Sequence, residues 1–341
     1  MEKERRLSVD LLRVLASLAI VVIHVTSQSY FRIEEIGYRN WLLGAGLGWM
    51  MMWGTGNFLM ISGGLLLGSK KNKVKEFYKR RVVRLAIPLL VWNVIYFFFS
   101  IYANGRDWGV KDFLNNLWTK GNYYHLYFLN VMIGLYAITP LLKRWINKEW
   151  LDYLVPILSI LGMGYLYGIS FWGWGKLESI FTWFLPYLGY YLGGYWLLNK
   201  RESKRKIWWL LGAGVILIIN IAITRKLVFV METHEMDTIL MNRLSLGVVV
   251  AAMMIYRAVT SIKNEVLEKY KKLILWLSEM SMGIYLIHPL WVEFFKLNKN
   301  WMDLMKVNYG IWLLAYILGV TSLTIGSSCL IKKIPGLSKI I

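Results

Sequence analysis

Apolar residues along this chain fall in long runs, broken by short polar stretches that are mostly basic. A run of about 17 to 25 predominantly apolar residues is what a helix needs to cross bilayer hydrocarbon, where only helices or closed barrels satisfy every backbone polar group. The pattern predicts ten such helices, at about 9–30, 42–68, 84–103, 124–142, 152–170, 179–198, 207–224, 238–258, 273–295 and 310–331. The predicted fold class is therefore all-α, a polytopic integral membrane protein of about ten transmembrane helices. No Gly/Pro-rich linker and no stretch of soluble-domain size interrupts the series, and the longest outer loop runs from about Asn104 to Tyr123. Residues 1–341 read as a single transmembrane domain.

Composition supports this reading. With 57% apolar residues, 18% charged residues and a mean hydropathy of +0.45, the chain has more apolar surface than a soluble domain of 341 residues buries. In a soluble protein the net charge of +20 would point to nucleic acid. Sorting the 40 Lys and Arg by loop removes that reading, because 27 fall on one side of the predicted spans, 11 on the other and two inside spans. The positive-inside rule then puts both termini in the cytoplasm of a protein of the plasma membrane. Cys329 is the one cysteine, so neither an internal disulfide nor a cysteine-based metal cluster is expected, and no metal is assigned. The first apolar run holds an arginine and lacks a small-residue cleavage site, so it reads as a retained helix and not a leader.

That first run, DLLRVLASLAIVVIHV (Asp10 to Val25), carries the most informative pair, Arg13 and His24. Ionisable residues inside a span are expensive and mark functional sites. Eleven steps of about 100° come to three turns plus roughly 20°, so both side chains share one helix face, about 16 Å apart along the axis. Asp10 is either a helix-start anion or a partner for Arg13. Arg243 is the second arginine within a span; it either clamps an anion or stabilises an oxyanion near His24, or else snorkels to the headgroups. His125 and His288 fall in the same outer half of the membrane as His24, as catalytic or substrate-contacting groups or as interhelical hydrogen-bond donors. His234 lies in an acidic outer loop. Glu178, at the outer start of the sixth predicted helix, either orients a histidine and contacts substrate or simply favours the helix N-terminus.

On the cytoplasmic side, KKNKVKEFYKRRVVR (Lys70 to Arg84) is the densest basic run. Its lysines are explained by topology and anionic lipid, whereas Arg80, Arg81 and Arg84 offer planar forks that take two phosphate oxygens at once. Just before them, SGGLLLG (Ser62 to Gly68) places small residues, Ser62 and Gly63 first, where a ligand or another helix can approach the backbone closely.

Taken in order, the Arg-x10-His spacing of Arg13 and His24, NFLMISGGLLLG (Asn57 to Gly68), FYKRRVVRLAIPLLVW (Phe77 to Trp92), HLYFLNVMIGLYAITPLL (His125 to Leu142) and MSMGIYLIHPLW (Met280 to Trp291) resemble the membrane acyltransferase-3 family over nearly the whole chain. The resemblance implies about ten helices and transfer of an acyl group, usually acetyl from cytoplasmic acetyl-CoA, to an extracytoplasmic or lipid-linked glycan. It implies that Arg13 and His24 are the required pair and carries the family's third-helix arginines onto Arg80, Arg81 and Arg84. The chain departs from larger family members in having no appended soluble domain, so helices and short loops must recognise the acceptor.

The expected mechanism seats the CoA nucleotide against Arg80, Arg81 and Arg84, with Ser62 and Gly63 beside it, and brings the thioester past Arg13 to His24. There the imidazole acts as general base or is itself acylated, Arg243 stabilises the oxyanion, and His288, His125 and Glu178 serve proton handling or acceptor contact. The expected partners are the bilayer, acyl-CoA and the saccharide acceptor, and no nucleic acid. The alternative is a polysaccharide or small-solute transporter or flippase whose path these charges line; the lack of an obvious internal repeat argues against duplicated halves.

Overall fold

The computed structural model describes residues 5–30, 32–69, 74–177, 179–231 and 240–341. Among the described residues it is all-helical, with no strand. Numbering only helices of ten or more residues, the chain forms α1 (Leu7–Thr26), α2 (Tyr38–Met50), α3 (Trp53–Leu67), α4 (Val74–Tyr102), α5 (Tyr127–Trp145), α6 (Leu151–Trp172), α7 (Leu188–Leu198), α8 (Lys206–Met231), α9 (Leu246–Thr260), α10 (Lys271–Leu297) and α11 (Tyr309–Lys333).

Seven helical stretches among the described residues are long and apolar enough to cross a membrane: Leu7–Ser29, Tyr38–Leu67, Val74–Tyr102, Lys148–Trp172, Lys206–Lys226, Asn264–Leu297 and Tyr309–Lys333. The second contains both α2 and α3, with a turn at Met51 and Met52 between them. The other three predicted spans contain α5, α7 and α9, which fall short of that standard by length or composition. In the predicted 179–198 span, turns and a short 3₁₀ segment (Leu185–Tyr187) precede α7. Pro186 has no N–H to give to a continuing ladder, and the eleven residues of α7 extend only about 16 Å. In the predicted 238–258 span, turns through residues 241–245 delay α9 to Leu246. The third span instead starts ten residues early, at Val74, so Arg80, Arg81 and Arg84 lie on the helix itself.

The helices fall into two compact units. The first comprises residues 1–58 and 200–333 and is organised around α1, which lies against α10, α11, α2 and α9. A helix apolar nearly all round belongs in a core, and most of α1 is buried, with Leu12, Ala16, Val21 and Val25 fully enclosed. Close approach to α3 is possible because Gly54 has no side chain: a Cβ there would sit 2.9 Å from that of Ala19. Aromatic rings of α2 and α11, including Trp41, Trp49, Trp312 and Tyr316, fill the rest of this core together with Val292 and Ile284 of α10.

The second unit comprises residues 59–199 and 334–341, in which α4 packs on α5 and α6 on α7. Here α3 and α7 touch backbone to backbone. A Cβ on Gly63 would lie 1.8 Å from the Tyr191 carbonyl oxygen, and one on Gly194 would lie 1.8 Å from that of Met60. The hydroxyls of Thr139 on α5 and Tyr191 on α7 share a buried hydrogen bond of 2.7 Å.

Candidate active site

Within the first unit, α1 and α10 meet through two pairs of polar residues. Toward the start of each helix, Arg13 Nη1 donates to Ser278 Oγ at 2.8 Å; toward the end of each, the His24 and His288 rings stack with centroids 5.1 Å apart and 26° between planes. The pairs are separated by eleven residues on α1 and ten on α10, about 16 and 15 Å. The two helices therefore run in the same direction, and Arg13 and His24 both face α10.

The chemistry at the two ends differs. His288 is fully buried, and its Nδ1 donates to the Ile284 carbonyl at 2.9 Å, since a carbonyl oxygen only accepts. In the neutral ring, Nε2 then carries the lone pair. Pro289 follows at once and has no N–H for the Tyr285 carbonyl four residues back; that carbonyl also lies within reach of the His288 ring. The proline thus leaves a backbone acceptor free of its ladder bond one turn before the histidine's own successor. His24 is half-buried, and Arg243, in the turn before α9, is close enough to interact with it electrostatically. Two imidazoles and one guanidinium therefore gather in one region of the unit.

At the other end, Arg13 belongs to a cluster of charged and polar side chains. Its Nη1 donates to Asp10 Oδ1 at 2.8 Å, Ser278 Oγ donates to the same oxygen at 2.7 Å, and Arg5 donates to both carboxylate oxygens at 2.7 and 3.1 Å. Asp10 is 4% exposed. Of the two roles open to it from sequence, the structure shows it as a partner of Arg13. Sequence reasoning missed Ser278 altogether: ten steps of about 100° leave it roughly 80° around α10 from His288, so periodicity assigns the two to different faces.

The remaining candidates belong to the second unit. Arg80, Arg81 and Arg84 are exposed on α4, with Arg80 Nη2 3.8 Å from Glu76 Oε2 one turn back. Ser62 is half-buried on α3, and the space beside Gly63 is taken by the Tyr191 backbone, so the close approach foreseen at this glycine is made by α7. His125 is buried among tyrosines, with the Tyr96 ring edge-on at 4.8 Å and Tyr123 and Tyr124 at 5.9 and 5.6 Å. Glu178 and His234 lie outside the described residues.

Among the described residues, seven long apolar helical stretches, two of them meeting through polar side chains, define a multi-pass helical membrane protein. A family model described as an acyltransferase domain, that of the acyltransferase-3 family, matches residues 6–332, and the chain belongs to this family of membrane acyltransferases. The match runs through both units. No curated protein and no solved structure matches the chain.

Proposed function

We propose that the protein transfers an acyl group, acetyl, from cytoplasmic acyl-CoA to a hydroxyl of an extracytoplasmic or lipid-linked glycan, with the reaction centred on His24. The observation that carries this reading is the stacked His24–His288 pair, on the helix face that also presents Arg13, with Arg243 within electrostatic reach of His24. Acyl transfer from a thioester needs a base for the acceptor proton and a cation for the oxyanion, and this cluster contains both kinds of group.

In the direct route, the His24 imidazole takes the acceptor hydroxyl proton as the oxygen attacks the thioester carbon. Arg243 balances the charge on the carbonyl oxygen. The C–S bond then breaks, and the imidazolium returns its proton to the departing CoA thiolate. In the two-step route, the neutral His24 nitrogen attacks the thioester carbon and the C–S bond breaks, releasing CoA thiolate; the acceptor hydroxyl then attacks the acyl carbon as the C–N bond breaks, and its proton passes through His288 Nε2 to the thiolate. In either route His288, with Nδ1 committed to Ile284, offers Nε2 as a second proton acceptor. Replacing His288 by Asn is expected to lower kcat about tenfold or more and leave folding intact, as checked by transfer rate beside thermal unfolding. The exposed guanidinium groups of Arg80, Arg81 and Arg84 are the proposed anchors for the donor phosphates, on the chemistry of that group. His125 is proposed to contact the acceptor, its tyrosine surroundings supplying the flat apolar faces on which sugar rings pack.

The parallel course of α1 and α10 supports the larger span count. Two helices that cross in the same direction have an odd number of crossings between them, yet four long candidates separate these two. On this reading α5, α7 and α9 cross as well, which gives ten spans with both termini on the basic, cytoplasmic side.

Membership of an acyltransferase family favours an enzyme over a carrier. Purified protein in detergent, given labelled acetyl-CoA and lipid-linked saccharides extracted from host membranes, is expected to transfer label without a sealed compartment. Label that moves only across closed vesicles, with no covalent product, would establish a carrier instead.

A further inference from the structure

The Arg5–Asp10–Arg13–Ser278 cluster lies about 16 Å along α1 from the histidines, so nothing in it reaches the reacting atoms proposed above. Burying a carboxylate inside a membrane unit is expensive unless it is paired and fully hydrogen-bonded. Asp10 meets that condition through four donated bonds, all of 3.1 Å or less. Arg5 is half-exposed and supplies two of the bonds. Ser278 both accepts from Arg13 and donates to Asp10, which closes a three-membered ring of side chains between α1 and α10.

Such a ring determines geometry. A lone arginine on a long flexible stem samples many rotamers, whereas a guanidinium bonded at one nitrogen to both a carboxylate and a serine of a second helix is restricted to one. Asp10 lies three residues before Arg13, on the neighbouring strip of the same helix, so the carboxylate pulls the guanidinium back along α1 and inward against α10. The serine hydroxyl joins the two helices at this level.

We propose that Asp10 is a positioning residue, assisted by Ser278, that fixes the Arg13 guanidinium between α1 and α10 for its part in acyl transfer. The proposal rests on the reading that Arg13 and His24 serve that reaction, and the test separates the two. Acetyl transfer from labelled acetyl-CoA to lipid-linked saccharides is measured for purified wild type, Asp10→Asn, Asp10→Glu, Arg13→Lys and the double variant Asp10→Asn/Arg13→Lys, with thermal unfolding followed in parallel. Asp10→Asn is expected to lose at least tenfold in rate. Asp10→Glu, which retains the carboxylate, should recover at least a third of wild-type activity. In the Arg13→Lys background, where the planar fork is already gone, Asp10→Asn should cost less than threefold more, because residues that act through one another are not additive.

The proposal is overturned if folded Asp10→Asn works within twofold of wild type, or if it loses the same factor in both backgrounds. Should Asp10→Asn fail to fold, Ser278→Ala, which deletes one hydroxyl, takes its place in the same comparison with a loss of threefold or more expected. His24→Ala in the same assay reports on the reaction itself: full activity there would end the reading of the site, whatever Asp10→Asn does.

Discussion

Replacing His24 by alanine is expected to abolish measurable acyl transfer while leaving the protein folded and inserted. The imidazole is half-buried, stacks on His288 and lies within electrostatic reach of Arg243. A positioned acid–base group contributes about 10²–10⁴-fold, and a nucleophile that carries the acyl group would contribute at least as much. Truncation to alanine removes a stacked ring without stranding a charge, so stability should fall far less than activity. The measurement is covalent transfer of labelled acetyl by protein whose unfolding temperature is within a few degrees of wild type. Undiminished product from such a variant would remove His24 from the mechanism.

The second large effect is on folding. Valine at Gly63 or at Gly194 is expected to prevent recovery of folded protein. Each Cβ would fall 1.8 Å from a backbone carbonyl oxygen of the facing helix, Tyr191 in one case and Met60 in the other. Overpacking a core against side chains costs about 1–3 kcal/mol; here the obstacle is backbone that cannot change rotamer, so α3 and α7 must separate. Because the two glycines face one another's helices, the loss should already be large for either change alone. Alanine carries the same Cβ and should also destabilise, whereas alanine at Gly164, with nothing within 4 Å, should be neutral. Size-exclusion profiles and thermal unfolding in detergent distinguish these outcomes. Normal folding of Gly63→Val would show that the two helices do not touch there.

These residues also show how far the sequence could be read. The class of protein was legible because bilayer thickness imposes a length on every apolar run, and seven of the predicted spans recur as long apolar helices. The spans containing α7 and α9 were less legible: apolar composition runs on past Pro186, and Asn242, Arg243 and Ser245 read as isolated polar residues of a span, whereas the backbone ladder starts only after them. Gly63 is instructive in a different way. Small residues are wanted equally by a bound ligand and by a neighbouring helix, so the sequence left both open until the Tyr191 backbone was found there.

From the sequence alone it follows that this chain is an integral membrane protein, that Arg13 and His24 share a helix face, and that its ordered motifs resemble an acyltransferase family. Only the tertiary structure decided that this face meets α10, that His24 stacks on His288, and that Asp10 bonds Arg13 directly while Ser278 of α10 bridges the two. The reason is geometric. A helical period of 3.6 residues fixes which side chains of one helix point together, but which other helix they meet depends on how the helices pack. That packing depends on contacts between residues more than 250 positions apart.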